Sequence, residues 1–555
     1  MPSPALRTLL RRTSTRLWRP CLAAYSTAVN PSTCKPPRQG QPLFPTHPHL
    51  ISSKCLTPGI PAEEYESRRR KLMEGLEEGC VVVCMGGTMR LVTQQIFYKF
   101  RQGELVDSSE GEAKLTRLVH SDRLLLPHWI QRARLHVDPR YFVLHSYKTA
   151  AYSFGPRLES KPSSPRGYTY TLFVPPKDVH DAQWAGERSG VEGAVSVFGA
   201  DEAHPNISLS TFLPSLLTSR PAVYVSLPPS PSTSPSSQPL QPPTPRRRSS
   251  LLKLFSSDST ASTSTSKSDP PHLILSAALA SSHARPLERE VQRLRMVKSE
   301  RELRLMKRAG DMSSDAHAKV MRFAEAGVSE GALAAHFEYH CALAGSERPA
   351  YVPVVASGAN SLIIHYTNND CLLEKDDLVL IDAGGELSMY ASDITRTFPV
   401  SGRFSDPQRD LYQAVLNAQK ECVKRCTVEG GVTMNELHRT SCSLLTEELR
   451  QIGFKLSIGD VERKLYPHFL SHHLGSDLHD CPSTDRNAVL VEGNVITIEP
   501  GIYVPFDSAF PKHFHGLGIR IEDEIAFQKD GPYNLSANAP KEIVDVEAAC
   551  QGSLG

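Results

Sequence analysis

"IDAGGELSMYASDITRTFP" spans Ile381–Pro399 and carries two aspartates, Asp382 and Asp393, in what reads as a β-hairpin. The flanks "DLVLIDAGGEL" and "YASDITRTFPV" are rich in β-branched and aromatic residues, and Gly384, Gly385 and Ser388 cluster towards the bend. A bend centred between Leu387 and Ser388 sets Asp382 directly opposite Asp393. Their Cβ atoms would then lie about 5 Å apart, where like charges destabilise a strand pair. Such a pair needs a shared proton or a cation between its carboxylates.

The sequence downstream favours the cation. "AVLVEGNVITIEPGIYV" and "GLGIRIEDEIAF" read as strands that bring Glu499 and Glu522, and "YPHFLSHHLGSDLHD" between the two acid pairs holds His468, His472, His473 and His479. Four carboxylates with one imidazole suit divalent ions such as Mn²⁺, Co²⁺, Fe²⁺ or Zn²⁺. Two ions about 3.5–4 Å apart, bridged by carboxylates, would remove the repulsion at the hairpin and lower the pKa of a shared water. A proton-sharing dyad would need none of the other acids. The competing reading is solvent-facing acids near strand ends beside a polar histidine-rich loop.

The surroundings repeat one order of elements. Ser299 and Glu302 form a capping box before Leu303, Met306 and Ala309, with Gly327 as the stop. Ser329 opens a second helix with Leu333, Phe337 and Cys341 on one face, ending at Gly345, and strands follow to Val400. Asp406 as N-cap with Pro407 behind it opens a third helix along Leu411, Val415, Ala418 and Cys422. Thr433 and Glu436 cap a fourth, which ends at Gly453 before the second set of strands. Helix–helix–strands therefore occurs twice, an α/β arrangement of two halves whose sheets face one site.

Upstream the chain is less regular. A charged helix over 63–78, the buried strand "CVVVCMGG", and strand-like "YTYTLFVPP", "GAVSVFG" and "PAVYVSLP" indicate a smaller α/β domain over 63–285. Residues 227–271 are rich in Pro, Ser and Thr and read as a disordered insert; "RRRSS" within it reads as a solvated basic cluster. The catalytic region is assigned to 286–545 and a tail to 546–555.

The chain has 555 residues and a formal net charge of +2, so no global field points to nucleic acid or to an acidic membrane. No apolar run reaches the roughly 18 residues of a membrane-spanning helix. The first 62 residues hold no Asp or Glu but carry Arg7, Arg11, Arg12, Arg16 and Arg19 among Ser, Thr and Leu, the composition of a mitochondrial transit peptide. The twelve cysteines include no CxxC pair; they read as reduced structural thiols, in keeping with a matrix compartment.

"IIHYTNND", "DAGGELSMYASDITRTFPVSGRF", "HFLSHHLGSDLHD", "TIEPGIY" and "GIRIEDEI" occur in the order and spacing of the aminopeptidase P (Xaa-Pro aminopeptidase) family, metallopeptidases of the pita-bread fold. The chain resembles that family over about Leu294 to Phe527, and its leader resembles the mitochondrial branch. The resemblance implies two metal ions, as a rule Mn²⁺. It implies Asp393 and Glu522 as bridging ligands, His472 and Asp382 as ligands on opposite ions, and Glu499 as a ligand that also serves as acid and base. It implies His479 and His365 as the imidazoles at the scissile peptide and its oxyanion, with His468 lining the leaving-residue side. Tyr503 and Arg520 resemble groups that orient the ligands, and His473 a neighbour pointing away. The implied substrates are peptide or protein N-termini. One residue is removed by attack of a bridging hydroxide, from Xaa-Pro peptides in the family at large. In the mitochondrial branch the residue is a bulky one left after presequence cleavage. The family's N-terminal domain supports oligomers, so a homo-oligomer is an open expectation.

Two departures matter. After "FYKFRQ" the family pattern is lost from Gly103 to about Arg166 and returns at "GYTYTLFVPPKD", which suggests translated intron or out-of-frame sequence. Ser476 stands where a bulky apolar residue is common. The alternatives in view are a strictly proline-dependent aminopeptidase or prolidase, then methionine aminopeptidase, which lacks a preceding domain of this size, and a catalytically dead pita-bread binding module. The last typically loses ligands that are all present here.

Overall fold

The computed structural model describes residues 39, 41–85, 149–153, 167–217, 220–226 and 284–553. The N-terminal region is built on a six-stranded sheet. In spatial order its strands are Glu202–Pro205, Thr169–Val174, Thr149–Ser153, Val81–Met85, Val223–Ser226 and Ala284–Pro286. Thr149–Ser153 runs antiparallel to both neighbours and the remaining pairs are parallel. It belongs to the segment read as out of frame; the rest of 103–166, like the insert 227–271, lies outside the described residues.

Three parts of the sequence reading are corrected here. The first four residues of "GAVSVFG" belong to the helix Gly190–Ser196, where Gly190, Gly193 and Ala194 are buried at helical spacing while Val195 faces out. A short apolar run rich in valine does not separate helix from strand by itself. Order begins before residue 63: Cys55–Thr57 pairs with Ile60–Pro61, and Ile51, Leu56 and Ile60 are buried. The expected tail instead forms the helix Ile543–Cys550, whose Val546 and Ala549 are buried in the main core.

The C-terminal region follows the expected order. Helices Glu300–Phe323 and Glu330–Leu343 precede the antiparallel sheet of Val354–Ser357, Leu378–Asp382 and Thr395–Pro399. Helices Asp406–Arg425 and Met434–Gln451 precede the sheet of Val495–Ile498, Asp523–Gln528 and Gly531–Asn534. The capping boxes at Ser299/Glu302 and Thr433/Glu436 both form. The third helix is capped one residue earlier than expected, by Ser405 with Gln408, which leaves Asp406 in the first turn, where its charge favours the positive end of the helix dipole. Phe337, Val379, Phe398, Leu411 and Leu445 meet in one core, each contributing about 1.5–3 kcal/mol by burial.

The two halves are joined strand to strand. The amide of Glu522 donates to the carbonyl of Thr395 at 3.1 Å, and the Thr397 hydroxyl donates to the carbonyl of Arg520 at 3.0 Å. Arg396 and Asp523, both fully buried, pair across the same seam at 2.7 Å. The N-terminal region packs on the long helix, where Leu303 and Met306 share a core with Val82, Leu172 and Tyr224.

Candidate metal centre

The hairpin bends one residue later than expected. Leu387 pairs with Tyr390, and the two central residues, Ser388 and Met389, have φ of +51° and +76°. That is the two-residue turn whose twist matches antiparallel strands, and it requires left-handed backbone at both positions. The register therefore shifts, and Asp382 faces Thr395 rather than Asp393. Asp393 sits where the ladder breaks between two small sheets, its amide held at 2.8 Å by Glu524 of the other half. Gly384 permits the break: a Cβ there would lie 1.8 Å from the Ser392 carbonyl oxygen.

The carboxylates converge all the same. The hydroxyl of Tyr351 is 2.5 Å from Asp382 Oδ1 and 2.6 Å from Asp393 Oδ1. A phenol has one proton, so only one of these oxygens receives it, and the other faces a lone pair. From the second half, segment 470–474 runs along the strand Val495–Ile498. Its carbonyls at His472 and Leu470 accept from the amides of Thr497 and Glu499, each at 3.0 Å. This pairing brings His472 Nε2 to 3.2 Å from Asp393 Oδ2 and 3.8 Å from Glu499 Oε1. One ligand atom from each of Asp393, His472 and Glu522 lies within 4.8 Å of the others.

His472 Nδ1 donates to the carbonyl of His473 at 3.0 Å. A carbonyl only accepts, so the proton of a neutral ring is fixed on Nδ1 and Nε2 is left with a lone pair aimed at a carboxylate. Burial opposes charging this ring, but the hydrogen bond and charge of Asp393, with Glu499, outweigh it and push its pKa up to about 9. Glu499 is pushed up to about 8 by burial, with His472 and Arg520 opposing and Asp393 and Asp382 adding to the rise. Burial and then Asp393 push Glu522 well above the carboxylate range. Four acids face one imidazole and one guanidinium, so the cluster lacks positive charge. Divalent cations fit this oxygen-rich set with one imidazole.

Arg520 orders the acids from behind. It donates to Asp382 Oδ2 at 2.7 Å, to the Tyr503 oxygen at 2.6 Å and to Thr395 Oγ1 at 3.1 Å. Thr395 passes its own proton to Glu522 at 2.6 Å. His468 donates from Nδ1 to the carbonyl of Phe469 at 3.0 Å and accepts at Nε2 from the Tyr503 hydroxyl at 2.9 Å. Burial, reinforced by Arg520, pushes its pKa down to about 3, so the ring is neutral. His468 thus holds Tyr503 through one nitrogen and the backbone through the other.

His479 is exposed, with its ring centre 4.3 Å from that of His472. His365 is exposed on the loop after Gly358–Leu362, near enough to act on His468. His473 is buried; its side chain is subject to the charges of Lys298 and Asp480, and its pKa falls to about 4 through burial and then Lys298. Tyr351, Thr395 and Glu524 were not singled out from the sequence. Thr395 lies inside the quoted hairpin motif, whereas no spacing or motif marks Tyr351.

The sequence profile of metallopeptidase family M24 matches residues 304–529, and that of the aminopeptidase P N-terminal domain matches 156–224. Intermediate cleaving peptidase 55 of Saccharomyces cerevisiae is 36% identical over 520 residues, covering 94% of this chain and 90% of its own. Its crystal structure without the N-terminal 58 residues covers 90% of this chain and 100% of that one, with a TM-score of 0.68 and 32% identity. Xaa-Pro aminopeptidase 3 of Mus musculus is 33% identical, covering 92% of this chain and 90% of its own. Intermediate cleaving peptidase 55, mitochondrial, of Arabidopsis thaliana is 32% identical, covering 92% and 87%. The fold is accordingly the pita-bread fold with a preceding α/β domain, and divalent metal ions are implied. The chain belongs to the aminopeptidase P branch of metallopeptidase family M24 and is a metallo-aminopeptidase.

Proposed function

We propose that this chain removes a single N-terminal residue from peptides, and from imported mitochondrial proteins after their presequence has been cut. Two divalent ions, expected to be Mn²⁺, would be held by Asp382, Asp393, His472, Glu499 and Glu522. The observation that carries the reading is the convergence of acids at the hairpin: one phenolic proton lies between the carboxylates of Asp382 and Asp393, and His472 and Glu522 close on Asp393 from the other half. Bound there, such ions would lower the pKa of a water towards neutrality and so would supply the nucleophile.

The chain's own residues do the rest. Glu499 takes the water's proton and delivers it to the departing amine, the change of role that general acid–base catalysis requires. His479 donates to the scissile carbonyl oxygen as that oxygen gains charge, and His365 binds the same peptide unit. Arg520, Tyr503 and His468 fix Asp382, and Thr395 fixes Glu522, so that neither acid reorganises during turnover. The free α-amine of the substrate lies beside Asp382. Mitochondrial location is supported by the acid-free, arginine-rich leader and by the name of the plant relative.

The test is to incubate protein from about residue 41 onward, which keeps the buried Ile51, Leu56 and Ile60, with Mn²⁺, with one peptide beginning Tyr-Ser or Leu-Ser and one beginning Xaa-Pro, and to read products by mass spectrometry. Loss of one residue from the first peptide is the expected result. Cleavage of the Xaa-Pro peptide alone would replace this reading by a strict proline-dependent aminopeptidase.

A further inference from the structure

Residues 474–481, which follow His472 and include His479, form neither helix nor strand of any length and end on Cys481 with φ of +53°. They lean on the connector between the two regions of the chain, the helix Glu288–Met296 and the residues just after it. Arg295 Nη2 donates to Ser476 Oγ at 2.8 Å and to Asp477 Oδ2 at 2.5 Å, and it also reaches Asp480 Oδ1. Lys298 Nζ donates to Asp480 Oδ2 at 3.0 Å. Gln292 adds two contacts: its Oε1 accepts from the Ser483 amide at 2.9 Å, and its main-chain carbonyl accepts from Cys481 Sγ at 3.3 Å.

These charges are out of water. The side chains of Arg295, Lys298 and Asp480 are 7%, 1% and 1% exposed. Among the described residues two cations, Arg295 and Lys298, face the two carboxylates of Asp477 and Asp480. Loss of either cation would leave a buried carboxylate short of counter-charge, which disfavours this loop conformation. The consequence reaches both imidazoles. His479 stands directly before Asp480, and the Asp480 amide donates at 2.8 Å to the carbonyl of His473, the same oxygen that fixes the His472 ring. Gly475 also holds the hairpin, its carbonyl accepting from the Ala391 amide at 2.9 Å. The hydroxyl of Ser476 accepts from Arg295, which an apolar residue at that position would not do.

We infer that Arg295 and Lys298 are positioning residues for the peptidase reaction: from the connector they hold residues 474–481 so that His479 stands over His472 at the scissile peptide. Seating of the N-terminal region is thereby coupled to the reacting centre through the connector. This inference rests on the role given to His479 above.

The test uses the full chain with Mn²⁺. Arg295→Lys and Lys298→Met are each made in the wild-type and in the His479→Ala background, with kcat, KM, bound manganese and amide exchange measured. A displacement of about 1 Å is enough to cost up to roughly a hundredfold in rate. Each variant is expected to lower kcat about tenfold or more in the wild type, with manganese content kept, and to cost less than about twofold once His479 is gone. Exchange should quicken in 474–484 and stay unchanged in the helix Asp406–Arg425. Equal losses in both backgrounds, or unchanged kcat with unchanged exchange, overturn the inference. A harmless His479→Ala overturns the catalytic link itself, while the exchange data still decide whether the two cations hold the loop. Lys298→Met, which leaves Arg295 on both aspartates, provides the comparison if Arg295→Lys folds poorly.

Discussion

Replacing Tyr351 by Phe removes a hydroxyl that touches both hairpin aspartates and keeps the ring that fills the space. In the structure that hydroxyl is 2.5 Å from Asp382 and 2.6 Å from Asp393. A hydrogen bond to a charged acceptor is worth about 1.5–3 kcal/mol, and tenfold in an equilibrium constant corresponds to about 1.4 kcal/mol. The loss is therefore about 10–100-fold, the range found when an outer hydrogen bond to a metal ligand is removed. The assay is calorimetric titration of metal-free protein with Mn²⁺, alongside peptide cleavage at saturating metal. Manganese affinity should fall about 10–100-fold, with far-UV circular dichroism unchanged. An affinity within twofold of the wild type, with kcat unchanged, would refute the claim that this hydroxyl orders the two acids.

Other consequences are equally open to measurement. Burial disfavours the Asp523 carboxylate, but Arg396 and Lys541 outweigh it and hold its pKa below the usual range. Its contribution to stability is thus present above the unfolded value of about 3.9 and is lost as pH falls from there. Asp523→Asn should flatten the acid limb of a stability–pH curve and cost about 3–5 kcal/mol at neutral pH, read by urea unfolding; an unchanged limb counts against the pairing. Glu330 is fully buried and accepts from Ser357 twice, from Asn360, from Tyr366 and from the Cys371 amide. Glu330→Gln turns a donor towards donors and should cost about 1–3 kcal/mol, with faster amide exchange in 357–371, the loop that carries His365; unaltered exchange would contradict this. Chelation should abolish cleavage and lower the melting temperature, and Mn²⁺ at about 100 times its dissociation constant should restore about 2.7 kcal/mol, followed by differential scanning calorimetry.

The sequence makes the helices of the C-terminal region legible because their signals are local. Ser299 with Glu302 and Thr433 with Glu436 state where a helix begins, and Gly345 and Gly453, both at φ of +99°, state where one has ended. Register is different. Whether Ser388 or Met389 joins the turn depends on which two residues take left-handed backbone, and neither is glycine, so the composition "GGELS" draws the bend too early. The acids still converge because the strands of both halves are pinned across the seam by Glu524, Arg396 and Asp523, contacts more than a hundred residues apart in sequence. Tyr351 is invisible for the same reason: its partners lie 31 and 42 residues away, and no periodic pattern passes through it. The closing helix Ile543–Cys550 is short, and Val546 and Ala549 look like a tail until the core they cover is known.

Asp382, Asp393, His472, Glu499 and Glu522 are proposed to hold two divalent ions together. The direct measurement is the number of Mn²⁺ ions bound per chain after metal removal and reloading, by isothermal titration with elemental analysis, for wild type and Asp393→Ala. Two ions are expected in the wild type, with loss of at least one in a variant that keeps its fold by circular dichroism. A wild type that binds none, or a variant that binds as the wild type does, would contradict that proposal.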